Sequence, residues 1–420
     1  MRAASWSVLI KAAPFVVAIF AAMFVGIAAA QEWEQAPVFQ ASSVLPPELR
    51  GGAGWSVDET VANDGFVNHY TVRTGAATLA VVSTDLLRIR AQEFEALAKM
   101  DEIKRSKVYL DAVKKAAVSP LQFAGDLLQE PGATLQGSAE GVGQFFGNIG
   151  HSLFGRPSQQ EEGVVKAALG VGVAKRKLAE KFSVDPYSNN ELLQARLGEL
   201  AWAAAGGSMT VGAGFGAVGG AASAVLRGTK FAGGVGRLIY DKSPDQLKDI
   251  NRAKLAGMGM PKELVAAFLD HPKYSPTRKT LIVAALEKMS AIGNRRLLLR
   301  DAITATTEPD TFLWQRQIEM IAAYNANIAP VARLVDAGIR PAMVTRKGEL
   351  VIALVGDYFA WTETIERDVQ ANRDRQEVQS PGYKSKEFWF AGKVSPFARA
   401  RIESRRWMVE DEVGDRLRLP

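Results

Sequence analysis

From Ser83 onward, Leu87, Ala91, Phe94 and Ala98 recur at three- and four-residue spacing, and Ser83 and Thr84 ahead of them can cap a helix. Just before this helix the period changes to two. Phe66-Val67 and Tyr70-Thr71-Val72 precede Thr74-Gly75, and Leu79-Ala80-Val81-Val82 follows, which predicts a short β-hairpin. Upstream, residues 31–60 carry Pro46-Pro47 and Gly51-Gly52 with little periodicity and read as an extended arm. Further helices are expected near Ser106 and at Ser119-Pro120, where Ser caps and Pro takes the first helical position.

Ordinary amphipathic helices return from residue 243. Their starts are marked by Ser243-Pro244, Ser275-Pro276 and Thr307-Glu308-Pro309, at a constant spacing of 32 residues. That spacing fits three helix-turn-helix units stacked as a short solenoid, or a plain bundle. The last segment changes again. Arg340–Val344 and Leu350–Val355 flank the turn Arg346-Lys347-Gly348-Glu349; a polar helix follows from about Trp361, then a charged linker around Gln370 to Lys386. Glu387-Phe388-Trp389-Phe390 reads as a strand, Ser395-Pro396 opens a helix, and Trp407-Met408-Val409 returns as a strand.

The fold expected from these patterns is mainly α, with a small α+β C-terminal domain and a short N-terminal β-hairpin. The divisions are a signal peptide (1–30), an extended arm (31–60), a hairpin plus helices (61–130), a glycine-rich helical region (131–242), helical hairpins (243–328) and the α+β domain (329–420).

Glycine is the one biased residue, and 22 of the 38 copies lie between Gly132 and Gly236. Leu200 to Leu226 carries no charge. Within and beyond it small residues recur every fourth position: Ala204, Ser208, Gly212, Gly216, Gly220, Ala224 and Gly228. Residues four apart share a helix face, so this is a smooth ridge against which another helix can pack closely. A weaker version, Gly137, Gly141, Gly143 and Gly147, lies beside Val142, Phe145, Phe146, Ile149 and Leu153. The run from Ala204 to Gly228 resembles the glycine-zipper segments of bacterial envelope proteins. The resemblance implies close helix packing or membrane insertion and no catalytic role. The alternative is a glycine-alanine hairpin buried in a soluble core.

Composition narrows the picture further. Apolar residues make up 47% and charged residues 23% of 420, an ordinary globular balance. Net charge is +6, of which Arg2 and Lys11 contribute two. The remaining +4 is mild, favours an anionic envelope surface slightly and does not indicate nucleic acid. The chain has no cysteine, which excludes disulfides, thiolate metal sites and a cysteine nucleophile. Ala12 to Ala30 is apolar and uncharged, follows Arg2 and Lys11, and closes on Ala28-Ala29-Ala30 before Gln31. That is the pattern of a cleaved secretory signal, with an uncleaved anchor as the alternative.

Candidate chemistry is sparse. His69, His151 and His271 show no metal-ligand spacing, so no metal is expected. Gly212, Gly214 and Gly216 lack the preceding strand and following acid of a dinucleotide site, and no nucleotide or other cofactor is expected. Asp270-His271 with Ser275 reads as a turn and cap, since a triad is defined by geometry and not by adjacency. Asp185-Pro186-Tyr187-Ser188-Asn189-Asn190 reads as a structural loop, without the closing Glu of a calcium site. Trp361 and Trp389 read as core anchors. The sequence points to an exported interaction protein of the periplasm or cell envelope. Its expected site is the helix-packing ridge of Ser208, Gly212, Gly216, Gly220, Ala224 and Gly228. Its partners would be a membrane surface, a partner helix or a second copy. The rival is a soluble periplasmic enzyme, hydrolase-like, with a site assembled from scattered residues.

Overall fold

The computed structural model describes residues 32–75, 77–106, 109–110, 162–205, 234–338, 340–372 and 382–417. The expected signal peptide and the ridge from Ser208 to Gly228 lie outside the described residues.

Two β-sheets organise the molecule, which overturns the expectation of a mainly α fold with one hairpin. The first sheet has six strands. β1 (Val38–Gln40) leads into a short helix α1 (Ala41–Val44), and after a 3-10 turn come β2 (Gly51–Gly52), β3 (Trp55–Val57) and β4 (Thr60–Asn63). β5 (Asn68–Thr74) and β6 (Thr78–Val82) complete it. The order is β1-β4-β5-β3-β2, and β6 pairs with the other side of β5. All these pairings are antiparallel. The residues expected to form an arm therefore supply three complete strands and open a fourth. Each strand is only two to four residues long and holds at most two apolar side chains (β2, Gly51–Gly52, holds none), too few to display a period. The expected hairpin is β5–β6. Its first strand, β5, is the centre of the sheet and β6 lies at an edge, with Tyr70, Val72 and Val81 buried against Val61, Leu86, Leu87 and Phe94.

Leu86, Leu87 and Phe94 belong to α2 (Thr84–Arg105). The N-terminal half of α2 covers the sheet; its C-terminal half, through Ala96 and Met100, joins a second core with α3 (Glu162–Phe182) and α4 (Glu191–Ala205). α3 and α4 form an antiparallel hairpin across the loop 183–190. α2 runs parallel to α4: Asp101 pairs with Arg196 at 2.8 Å, and Lys104 with Glu199 at 2.6 Å.

A helical layer follows: α5 (Gly234–Asp241), α6 (Pro244–Gly257), α7 (Lys262–Leu269), α8 (Pro276–Lys288), α9 (Arg296–Ala302) and α10 (Glu308–Asn327). Ser243, Ser275 and Thr307 each cap a helix start through the side-chain oxygen, and Ser243 and Thr307 complete capping boxes. α8 packs between α6 and α10.

The chain closes with a five-stranded mixed sheet, order β13-β11-β9-β8-β7. Its strands and helices are β7 (Val331–Asp336), β8 (Pro341–Thr345), β9 (Leu350–Leu354), the short β10 (Tyr358–Phe359), α11 (Glu363–Ala371), β11 (Lys386–Phe390), the short β12 (Lys393–Val394), α12 (Pro396–Glu403), β13 (Met408–Glu410) and α13 (Gly414–Leu417). β7, β8 and β9 are antiparallel, and β9, β11 and β13 are parallel. One face joins α10 in the largest core, where Ile318, Ile321 and Tyr324 meet Leu334, Met343, Val351 and Trp389. The other face packs on α11 and α12 through Phe388, Phe390, Ile365 and Ala398.

The two sheets meet along a backbone seam. Asp357 N donates to Phe66 O at 3.0 Å, and Ala360 N to Gly65 O at 3.0 Å. Glycine permits this approach. Gly65 sits at φ +101°, a methyl group on Gly356 would overlap the Phe66 carbonyl across the seam, and one on Gly392 would overlap the Asp357 and Gly356 carbonyls behind it. Backbone on both sides leaves little room to yield. Gly392→Ala is expected to lower the unfolding free energy by about 1–3 kcal/mol in denaturant titration. Gly257→Ala, where nothing lies within 4 Å, should change it by less than about 0.5 kcal/mol.

Candidate functional site

Arg90 and Glu93 lie one helical turn apart on α2, on the side that turns into the protein, and Glu93 is only 1% exposed. A buried carboxylate is costly unless donors surround it. Glu93 accepts from Arg90 Nη1 at 2.7 Å, from Asn190 Nδ2 at 2.8 Å and from the Ser188 hydroxyl. Arg90 continues the network to Ser188 Oγ at 3.2 Å and to Glu308 Oε1 at 3.3 Å. Glu308 opens α10 and also accepts from Arg278 of α8. Arg278 bonds Thr311 Oγ1 at 2.7 Å and lies over the Phe312 ring at 5.4 Å. One chain of charge thus ties α2, the loop 183–190, α8 and α10.

These elements border a cleft of about 1070 Å³, lined among others by Arg88, Glu93, Asp185, Arg316 and Asp357. Arg316 pairs with Asp85 at 3.0 Å and Glu319 at 2.8 Å. At one end Asp185 accepts the Tyr187 amide at 2.9 Å and the Thr277 hydroxyl. Near the other, Asp357 accepts the amides of Asn68 at 2.8 Å and Thr84 at 3.0 Å. Thr84 is the first residue of α2, so the carboxylate also faces the positive end of the helix. Ser83 before it holds φ +74°, a strained value for a non-glycine residue. Its amide bonds Asn68 O at 2.8 Å and its hydroxyl accepts from Leu86 N at 3.2 Å, which together hold the strain.

Asp185 and Asp357 keep a small accessible patch toward the cleft and are packed by protein elsewhere. Burial raises both carboxyls to about 6, and like charge adds to it, from Glu93 at Asp185 and from Asp85 at Asp357. Burial also pushes the Lys175 ammonium down to about 8 and the Tyr70 hydroxyl up to about 12.

Asp270 pairs with Lys248 at 2.6 Å, and the Ser275 hydroxyl accepts from Arg278 N at 3.2 Å as the α8 cap. His271 Nδ1 accepts from Lys273 N at 3.3 Å. The three form a turn, each bonded elsewhere. Asn190 caps α4 through Leu193 N at 3.3 Å, so the Asp185–Asn190 segment is structural as read, though its partners on α2 and α8 were not foreseen. Trp361 and Trp389 are each 3% exposed. Sequence reasoning missed Arg90 and Glu93. The available signal was a Glu beside Phe94 on the apolar side of α2. Among the described residues, no three metal-ligating side chains cluster and no helix is long and apolar enough to cross a membrane.

A second feature lies at the far end of the α2–α3–α4 bundle. α2 and α4 run parallel and α3 runs back, so residues 105, 162 and 205 all reach the same pole. Residues 162 and 205 border the two segments 111–161 and 206–233 directly, and residue 105 ends α2 shortly before the first of them. Leu110, 49% exposed, follows α2 toward this pole, and Val173, 42% exposed, lies at the middle of α3; they are two of the four large exposed apolar side chains among the described residues. No family model, no curated protein and no solved structure matches the chain.

Two outcomes follow from the junction. Glu93→Ala should destabilise by about 3–5 kcal/mol, because Arg90 is left buried without its closest counter-charge, whereas Glu93→Gln, which retains acceptors for Ser188 and Asn190, should cost less. A carboxyl raised in the folded state binds its proton more tightly there than in the unfolded chain. Its contribution to stability is therefore present below the unfolded value near 4 and is lost as pH rises through about 6. The stability difference between wild type and Asp185→Asn should fall across that window in chemical denaturation at stepped pH. A flat difference would contradict the desolvation of Asp185.

Proposed function

We propose that the chain is an exported cell-envelope protein whose folded body holds two glycine-rich segments, 111–161 and 206–233, against a membrane surface. The observation that carries this reading is the convergence of the end of α2 with two of the segment borders, 162 and 205, on one pole of the α2–α3–α4 bundle, with exposed Leu110 near it and exposed Val173 along the side of α3. The secretory pattern ending at Ala30 supports export, and the uncharged stretch from Leu200 to Leu226 supports an apolar environment. Within that stretch the ridge of Ser208, Gly212, Gly216, Gly220, Ala224 and Gly228 would pack against a second helix, the first candidate being residues 142–154. A rival hydrolase would draw its groups from the cleft, where Glu93, Arg90, Glu308 and Arg278 already bond one another and Arg316 is paired with Asp85 and Glu319.

Flotation of the mature chain with phosphatidylethanolamine–phosphatidylglycerol vesicles tests the reading. Wild type should float, and a Gly212→Asp/Gly216→Asp/Gly220→Asp variant should float at least about tenfold less, since charges at membrane depth are expensive. Thermal melts of both proteins separate a loss of membrane contact from a loss of fold. Equal flotation of both proteins, or no flotation of wild type, would overturn it.

A further inference from the structure

β6 is an open edge. Ser83 N donates to Asn68 O and Thr74 N to Ala77 O, which sets the phase of the β5–β6 ladder. With Val72 opposite Leu79 and Tyr70 opposite Val81, the backbone groups of Leu79 and Val81 turn inward to β5. Those of Thr78, Ala80 and Val82 then turn outward, and β6 pairs with no other strand among the described residues. No backbone hydrogen bond from these three groups reaches any other described element. The edge carries no charge, no proline and no bulge, the usual devices that block pairing. The other edges are shielded or short. Arg333 of β7 is bridged by Gly293, which bonds Ala332 O and Leu334 N at 2.9 Å. Val409 O of β13 accepts from Arg399 at 3.0 Å. β1 and β2 have three and two residues.

We infer that β6 pairs with β6 of a second copy of this chain, antiparallel about a two-fold axis at Ala80, joining the two six-stranded sheets. The electrostatic pattern of the edge is self-complementary about that residue. Outward N–H and C=O groups alternate at 78, 80 and 82, so Ala80 faces Ala80 of the second copy and Thr78 faces its Val82, with each donor opposite an acceptor. The edge is neutral throughout, so no like charges meet. Thr78 and Ala80 are exposed and small enough to allow close approach, and Thr opposite Val is a favourable β-branched pair. An isologous contact of this kind closes as a dimer and does not propagate.

The chain has no cysteine, so a single introduced thiol reports on the pairing. Opposed residues of such a pair have Cα atoms about 5.5 Å apart, within disulfide reach. In mild detergent, full-length mature Ala80→Cys should form a crosslinked dimer under gentle oxidation, while Thr60→Cys, exposed on the same sheet, should not. Sedimentation should show a concentration-dependent wild-type dimer. Ala80→Pro removes an outward N–H that bonds nothing among the described residues of the protomer, and Ala80→Lys sets like charges at the axis. Either should raise the dimer dissociation constant at least about tenfold with the circular dichroism unchanged. If Ala80→Pro fails to fold, Ala80→Lys and the crosslink decide. A wild type that stays monomeric at about 100 μM, a dimer unaffected by both variants, or crosslinking no greater than in Thr60→Cys would overturn the proposal.

Discussion

The carboxylate of Glu93 is the constraint from which the arrangement of the helices follows. It is buried on α2, where an unpaired charge would be untenable, and its donors come from α2 itself and from the loop 183–190. Satisfying it fixes that loop against the first turns of α2. With the loop fixed, α4 starts beside Glu93 and must run parallel to α2, and the Asp101–Arg196 and Lys104–Glu199 pairs continue the register outward. Arg90 extends the same network to Glu308 and so brings in the helical layer. A network of this type contributes specificity of arrangement more than net stability, because desolvation offsets much of the attraction. Its structural consequence is the common pole at which α2, α3 and α4 end.

Asp357 does the corresponding work at the other end of α2. Its two backbone bonds tie the start of β5 and the first turn of α2 to the loop after β9. The seam between Gly65-Phe66 and residues 357–360 then holds the two sheets together by main-chain bonds. α2 is thus anchored at its N-terminus to both sheets and near its middle to the helical layer, and its C-terminal end points away from both. The buried ionisable groups concentrate at these joints, which explains why Asp185 and Asp357 both hold their protons to about pH 6.

Legibility in the sequence tracked the range of the interactions. The helix starts at Ser243, Ser275 and Thr307 were readable because a cap needs only residues three positions apart. The β8–β9 turn and the β11–α12–β13 succession were readable because each strand carries a short apolar run with turn or cap signals nearby. The six-stranded sheet was not, because β1, β2 and β3 are too short to show alternation and pair with strands 15 or more residues away in most cases, as in Val57 with Val72. The cleft was not legible either. Glu93, Ser188, Asn190, Arg278 and Glu308 span more than two hundred positions, and only folding brings them together. The Asp185–Asn190 segment was recognised as a loop from its turn residues, but nothing local identifies its partner helix.

We propose that the ionic junction aims the outer pole of the α2–α3–α4 bundle at a membrane. The absence of cysteine allows a direct measurement. Single cysteines at Leu110, at Val173 and, as a distant reference, at exposed Asp249 on α6 can each carry an environment-sensitive fluorophore. On adding anionic phospholipid vesicles, the probes at 110 and 173 are expected to shift to the blue and lose access to an aqueous quencher, while the probe at 249 stays unchanged. Unchanged spectra at 110 and 173, or a shift at 249 alone, would contradict the account.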